Sequence, residues 1–164
     1  MTNRAVLLIG GNQGDRLRLM EQATEQIRQR IGSVVALSRI CETKPWGDFA
    51  EEPQQDFLNR ALVVETELTA RQVLEEALAI EAVLGRLRPA AHEGEDLPQR
   101  VYHSRPMDID IIFYNDEVID TPDLTVPHPR MHQRRFVLEP LAEIIPGYCH
   151  PVLKKTVKEL LYEL

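Results

Sequence analysis

The sequence is short of the features that mark several classes of protein. Its 2 cysteines, Cys41 and Cys149, stand far apart with no Cys-x-x-Cys spacing. A disulfide framework and a structural zinc site are therefore not expected, and a reducing, intracellular home is. Long apolar runs are missing. The first, Ala5 to Ile9, is shorter than a signal-peptide core, and none approaches the ~20 residues of a membrane span. Neither secretion nor membrane insertion is expected, and the chain reads as cytoplasmic. Positive charge is in the minority, 19 basic residues against 26 acidic, for a formal net charge of −7. That argues against a general nucleic-acid binder, which needs a basic surface. Aromatic residues are scarce at 5%, so each ring is worth locating. Nucleotide signatures are missing too. No Gly-x-x-x-x-Gly-Lys-Ser/Thr occurs, and Gly10-Gly11-Asn12-Gln13-Gly14 breaks the spacing of a dinucleotide fingerprint.

What is present is an ordinary globular composition, 43% hydrophobic and 27% charged. At 164 residues one domain over 1–164 is expected, able to bury roughly 70% of its unfolded surface without covalent staples. No repeat, linker or low-complexity tract breaks the chain. Ala5-Val-Leu-Leu-Ile9 reads as a buried central strand, and Asp15 as the N-cap of a helix with Leu17, Met20, Ala23, Ile27 and Ile31 on its apolar face. Ser33 to Thr43 reads as one long, bent strand, and Phe57 to Thr66 as a third. Thr69 opens a second helix that Gly85 ends. Met107 to Phe113 is the next strand, with Val118-Ile119 a short partner beyond the Asn115-Asp116 turn. Leu124 to Val126 adds an edge, Phe136 to Ile145 starts as helix before Pro140 limits it, and Leu153 to Leu161 closes the chain. The order β-α-β-β-α-β predicts an α+β, ferredoxin-like antiparallel sheet with additional C-terminal strands and helices. Its helices pack on one face, leaving the other open to ligands.

The sharpest chemical feature is Asp108-Ile109-Asp110-Ile111. Strand alternation puts both carboxylates on one face, about 6–7 Å apart, and both isoleucines on the other. Like charges so placed disfavour each other unless a cation lies between them, and magnesium suits the pair because it takes one or two carboxylates and completes its shell with phosphate oxygens and water. Arginines crowd the same half of the chain: Arg86, Arg88, Arg100, Arg105, Arg130, Arg134 and Arg135. Carboxylates for a dication among guanidiniums that fork onto phosphate are the apparatus of phosphoryl transfer. Phe57 and Asn59 share a strand face, and an asparagine beside aromatic rings suits a flat heterocycle with amide-like edges. His92, His103, His128 and His132 lack zinc spacing.

Together these residues resemble the 6-hydroxymethyl-7,8-dihydropterin pyrophosphokinases of folate biosynthesis, nearly end to end. The likeness is carried by Ile9-Gly-Gly-Asn12, Thr43-Lys-Pro-Trp-Gly47, Asp56-Phe-Leu-Asn59, Glu81 with Gly85-Arg-Leu-Arg88, Arg105-Pro-Met-Asp-Ile-Asp110 and Leu124-Thr-Val-Pro-His128. The resemblance implies that Asp108 and Asp110 hold two magnesium ions on ATP, and that the pterin hydroxyl attacks the β-phosphorus as AMP leaves. It implies catalytic or phosphate-facing roles for Arg86, Arg88, Arg105 and Arg134. It further implies nucleotide contacts at Glu81, Tyr102, Ile111 and His128, and a pterin pocket of Thr43, Lys44, Trp46, Phe57, Asn59 and Phe136. The implied partners are the two small-molecule substrates alone, with the protein a monomer. Two rivals stand beside this reading. A magnesium-dependent nucleotidyl transferase with another acceptor would release pyrophosphate. A binding module on the same fold fails in its RNA-binding form on the acidic charge and the absence of paired sheet aromatics, and its ligand-sensing form has no use for two adjacent metal carboxylates. The polar stretch 89–104 is expected to act as a lid over bound nucleotide.

Overall fold

The computed structural model describes residues 2–43, 56–86 and 107–164. Five strands form one antiparallel sheet. In chain order they are β1 (Asn3–Gly11), β2 (Ser33–Leu37), β3 (Cys41–Thr43), β4 (Phe57–Thr66) and β5 (Asp108–Tyr114). Helix α1 (Arg16–Arg30) follows β1, and α2 (Ala70–Arg86) follows β4. The strands lie in the order β2-β4-β1-β5, with β3 also paired to β4. This is the expected ferredoxin-like arrangement. Asp15 caps α1 by accepting from the Arg18 N–H at 3.3 Å. Thr69 and Gln72 exchange side-chain and backbone bonds of 2.9 and 3.1 Å at the start of α2.

The continuous apolar run of β1 is explained by burial on both sides. Ala5, Leu7 and Ile9 pack towards α1 and α2, with Leu62, Val64, Ile109 and Ile111 beside them. Val6 and Leu8 point the other way and join Ala61, Val63, Ile112 and Phe113 in a second core. That second core corrects the expectation of an open face. It is roofed by α3 (Arg135–Ile144) and α4 (Val157–Tyr162), through Val137, Leu138, Leu141, Val157 and Leu160. Strands buried on two faces read as solid apolar runs, which carry no signal of what covers the second face.

Other details differ from the sequence reading. Ser33 to Thr43 is two strands because Ser38 leaves the ladder: its hydroxyl accepts from the Ala61 N–H at 2.9 Å and donates to the Arg39 carbonyl at 2.7 Å. The short strand after the Asn115 turn pairs with its successor rather than with β5. These two, β6 (Ile119–Thr121) and β7 (Leu124–Val126), form a separate hairpin. Leu17 is exposed, and Leu19 takes the buried place instead. Pro140 sits inside α3, which continues to Ile144, so the proline does not end it. The last helix starts at Val157, where Thr156 and Glu159 form a capping box, rather than at Leu153.

Candidate active site

Asp108 and Asp110 open β5 on the sheet face that carries the second core. In register with β1, Asp108 stands opposite Gly10 and Asp110 opposite Leu8. Both carboxylates are half-buried, whereas Ile109 and Ile111 between and after them are buried in the first core. Gly10 presents no side chain of its own in the row of Asp108. Two carboxylates on one face offer hard oxygen donors, which fit magnesium, an ion that uses few protein ligands. Among the described residues no group of three His, Cys, Asp or Glu side chains comes together to form a fuller cage.

The Val126-Pro127-His128 turn brings a histidine to the pair. The His128 N–H donates to the Ile112 carbonyl at 3.1 Å, which binds the turn to β5. Burial holds the His128 ring below its ordinary pKa, the Arg134 guanidinium adds to this, and Asp108 opposes both. The ring is thus neutral at neutral pH and stands within the fields of Asp108 and Arg134 alike. Its Nδ1 faces the Arg130 N–H at 3.4 Å, so the neutral ring carries its proton on Nε2 as a donor. Beyond it, Arg130, Gln133, Arg134, Arg135 and Phe136 line an open groove of about 360 Å³. The Arg134 guanidinium carbon lies 5.7 Å from the Phe136 ring centroid, a cation over a ring face. A groove walled by three guanidiniums and one ring favours an anion attached to a flat or flexible body.

A second cluster lies on β4 and β3, across β1 from the carboxylates. Asn59 pairs with Gly10 on β1 and with Cys41 on β3, and Phe57 pairs with Thr43. The buried Asn59 amide donates from Nδ2 to Thr43 Oγ1 at 3.2 Å. Its Oδ1 occupies the place of the missing Gly10 side chain, 2.6 Å from where a Cβ would stand. Gly10 therefore serves close approach of a carboxamide. One row of the sheet thus runs Cys41, Asn59, Gly10, Asp108, which places the amide and the first carboxylate on one face with a glycine between them. The helix α3 that carries Phe136 crosses β3 and β4.

Glu81 and Ile111 take places that the sequence did not disclose. Glu81 reaches from α2 to accept the Ile109 N–H at 2.7 Å, at the β5 edge away from β1. Ile111 buries its side chain against the helices, so only its backbone, which shares the alternation of Ile109, is offered at that edge. Lys44, Trp46, Arg88, Tyr102 and Arg105, the side chain of Arg86 and the stretch 89–104 lie outside the described residues. Sequence reasoning passed over Arg16, whose bonds to Glu42 and Asp56 require knowledge of the α1–β3–β4 packing.

Comparison with known proteins converges on one family. A family model described as 7,8-dihydro-6-hydroxymethylpterin-pyrophosphokinase (HPPK) matches residues 6–146. A relative in Porphyromonas gingivalis is 39% identical over 146 residues, covering 88% of this chain and 92% of its own. One in Bacillus subtilis is 40% identical over 156 residues, covering 94% of this chain and 83% of its own. Both are named 2-amino-4-hydroxy-6-hydroxymethyldihydropteridine pyrophosphokinase. Among solved structures, a crystal structure of Plasmodium falciparum HPPK-DHPS superposes with a TM-score of 0.75 at 19% identity, over 99% of this chain and 42% of that one. That likeness is one of fold, and the chain spans less than half of the Plasmodium protein.

Proposed function

The chain belongs to the 7,8-dihydro-6-hydroxymethylpterin pyrophosphokinase family, whose reaction places a pyrophosphoryl group on hydroxymethyldihydropterin in folate biosynthesis, and we propose that Asp108 and Asp110 are the centre of that transfer. The observation that carries the proposal is the shared face of the two carboxylates, with neutral His128 and cationic Arg134 beside them. In this reading Asp108 and Asp110 hold two magnesium ions. Bound there, the metal neutralises charge across the phosphates of ATP and orients them for in-line attack.

The chain's own residues supply the rest. Arg134, with Arg86, Arg88 and Arg105, forks onto phosphate oxygens. His128 donates from Nε2 to the nucleotide, and Ile111 meets it through the backbone at the β5 edge. Glu81 and Tyr102 complete the nucleotide side. On the other side Phe57 and Phe136 stack on the pterin, Asn59 pairs with its amide-like edge, and Thr43, Lys44 and Trp46 close the pocket. The Asn59 amide and the Asp108 carboxylate share one face, so a pterin paired with Asn59 would turn its hydroxymethyl group towards the phosphates. The hydroxymethyl oxygen forms the new bond to the β-phosphorus and gives its proton to water, while the bond between that phosphorus and the α,β-bridging oxygen breaks and that oxygen leaves with AMP. The protein acts as a cytoplasmic monomer on these two small molecules.

Product analysis tests the transfer directly. With magnesium, ATP and hydroxymethyldihydropterin, AMP and the diphosphorylated pterin should form in equal amounts, and neither without pterin. Release of free pyrophosphate with AMP left on the acceptor would instead mark a nucleotidyl transferase.

A further inference from the structure

Arg16 is the first residue of α1, directly after the capping Asp15. Its Nη1 donates to the Asp56 carbonyl at 2.8 Å and to the Glu42 carboxylate at 3.0 Å. Asp56 is the residue before Phe57, and Glu42 the residue before Thr43. Phe57 and Thr43 are partners across β3 and β4, and Asn59, two residues further along, bonds back to Thr43. One guanidinium thus joins both chains at the row where the aromatic and polar residues of the pterin pocket begin.

The geometry sets this contact apart from an ordinary surface ion pair. The Arg16 side chain is only 23% exposed although Glu42 is 52% exposed, so the arginine is committed to the protein and the carboxylate is not. An exposed pair alone contributes little. The bond to the Asp56 carbonyl is charge-assisted and acts on the main chain one peptide unit from Phe57, so it fixes position. Among the described residues β3 has three residues and pairs with β4 alone. A ladder that short holds its register weakly without outside support.

We propose that Arg16 is a positioning residue for the pterin site. It ties the ends of β3 and β4 to the first turn of α1, so that the Phe57 ring and the Asn59 amide are set before substrate arrives. It touches neither substrate. Preorganisation of this kind appears in affinity, because a pocket correctly formed only part of the time binds in proportion to that fraction. The inference rests on the assignment of Thr43, Phe57 and Asn59 to the pterin.

Steady-state kinetics on the full chain tests it. Arg16→Ala should raise the KM for hydroxymethyldihydropterin roughly tenfold, the scale of one lost charge-assisted hydrogen bond. The KM for ATP and kcat at saturating pterin should stay within about twofold, the spread expected when binding alone is affected. Arg16→Lys, which keeps the charge and can reach one of the two acceptors, should recover part of the loss and guards against a variant that fails to fold. An unmoved pterin KM in both variants, or a rise of both KM values in step, would overturn the proposal. Asn59→Ala separates the premise from the inference. If it leaves pterin binding intact the pocket itself is misassigned, whereas if it weakens binding and Arg16→Ala does not, the role of Arg16 alone fails.

Discussion

His150 shows how tightly a single side chain can be fixed outside the site. Its Nδ1 accepts from the Val152 and Leu153 N–H groups at 3.1 and 3.0 Å, and its ring meets Phe113 edge-on with centroids 5.8 Å apart. Protonating Nδ1 would remove both acceptor bonds. Burial first, and the neighbouring His132 second, hold its pKa below the ordinary histidine value. An unfolded chain takes up a proton near pH 6.5 where the folded chain resists, so this contribution to stability is present above about pH 6.5 and lost as pH falls below it. Urea unfolding should therefore show stability falling between about pH 7.5 and about pH 5.5. His150→Asn keeps an acceptor near the Nδ1 position but does not titrate, and it should flatten that fall. His128 is depressed in the same direction and retains its share. An unchanged slope in the variant would show that His150 does not titrate on unfolding. At this scale Asp108 and Asp110 were legible in the sequence, because strand alternation fixes a shared face whatever surrounds it. The Asn59–Thr43 bond was not, since it depends on the register of a strand that begins only after the break at Ser38.

At the scale of elements, β5 is an edge strand whose outer side needs a partner, and α2 provides one. Glu81 accepts the Ile109 N–H between the two proposed metal carboxylates, so the helix fixes the strand that carries them. Glu81→Ala should release that N–H and cost about 1 kcal/mol of stability, the ordinary worth of a partly buried bond. Hydrogen exchange at Ile109 should quicken in Glu81→Ala and stay slow in Glu81→Gln, whose amide oxygen still accepts. Equal protection in the alanine variant and the parent chain would remove this role from Glu81. The helices and long strands were readable because their periods and caps are local: Asp15, Thr69 and the run of β4 each mark a boundary. The β6–β7 hairpin was misread because its pairing is decided by what lies across from it. The Arg71–Asp123 pair, bonded at 2.6 and 3.0 Å, ties the start of α2 to the turn of that hairpin. No sequence period reports such a contact.

At the scale of the whole molecule, the sheet of the described residues carries two cores, and the candidate site lies on the second face, at the rows of Gly10 and Leu8 and beside the start of α3. Residues from β1, β3, β4 and β5 reach it in three successive rows, and the Val-Pro-His turn and the start of α3 add His128, Arg134 and Phe136. The element order and chemistry of this plan could be read from the chain. The roof over the second core could not, because an apolar strand looks the same with one cover or two. Since β1 is buried on both faces, the scaffold under Asp108 and Asp110 is rigid, and a change confined to their carboxylates should alter chemistry and leave folding intact. The most direct measurement is turnover of Asp110→Asn across a magnesium titration, alongside its thermal unfolding. The variant should stay folded and unfold cooperatively, since the isosteric change leaves the buried strand beneath it intact, and kcat should fall by at least roughly a hundredfold at every magnesium concentration. Near-normal, magnesium-dependent turnover in Asp110→Asn would contradict the assignment of the carboxylate pair as the centre of transfer.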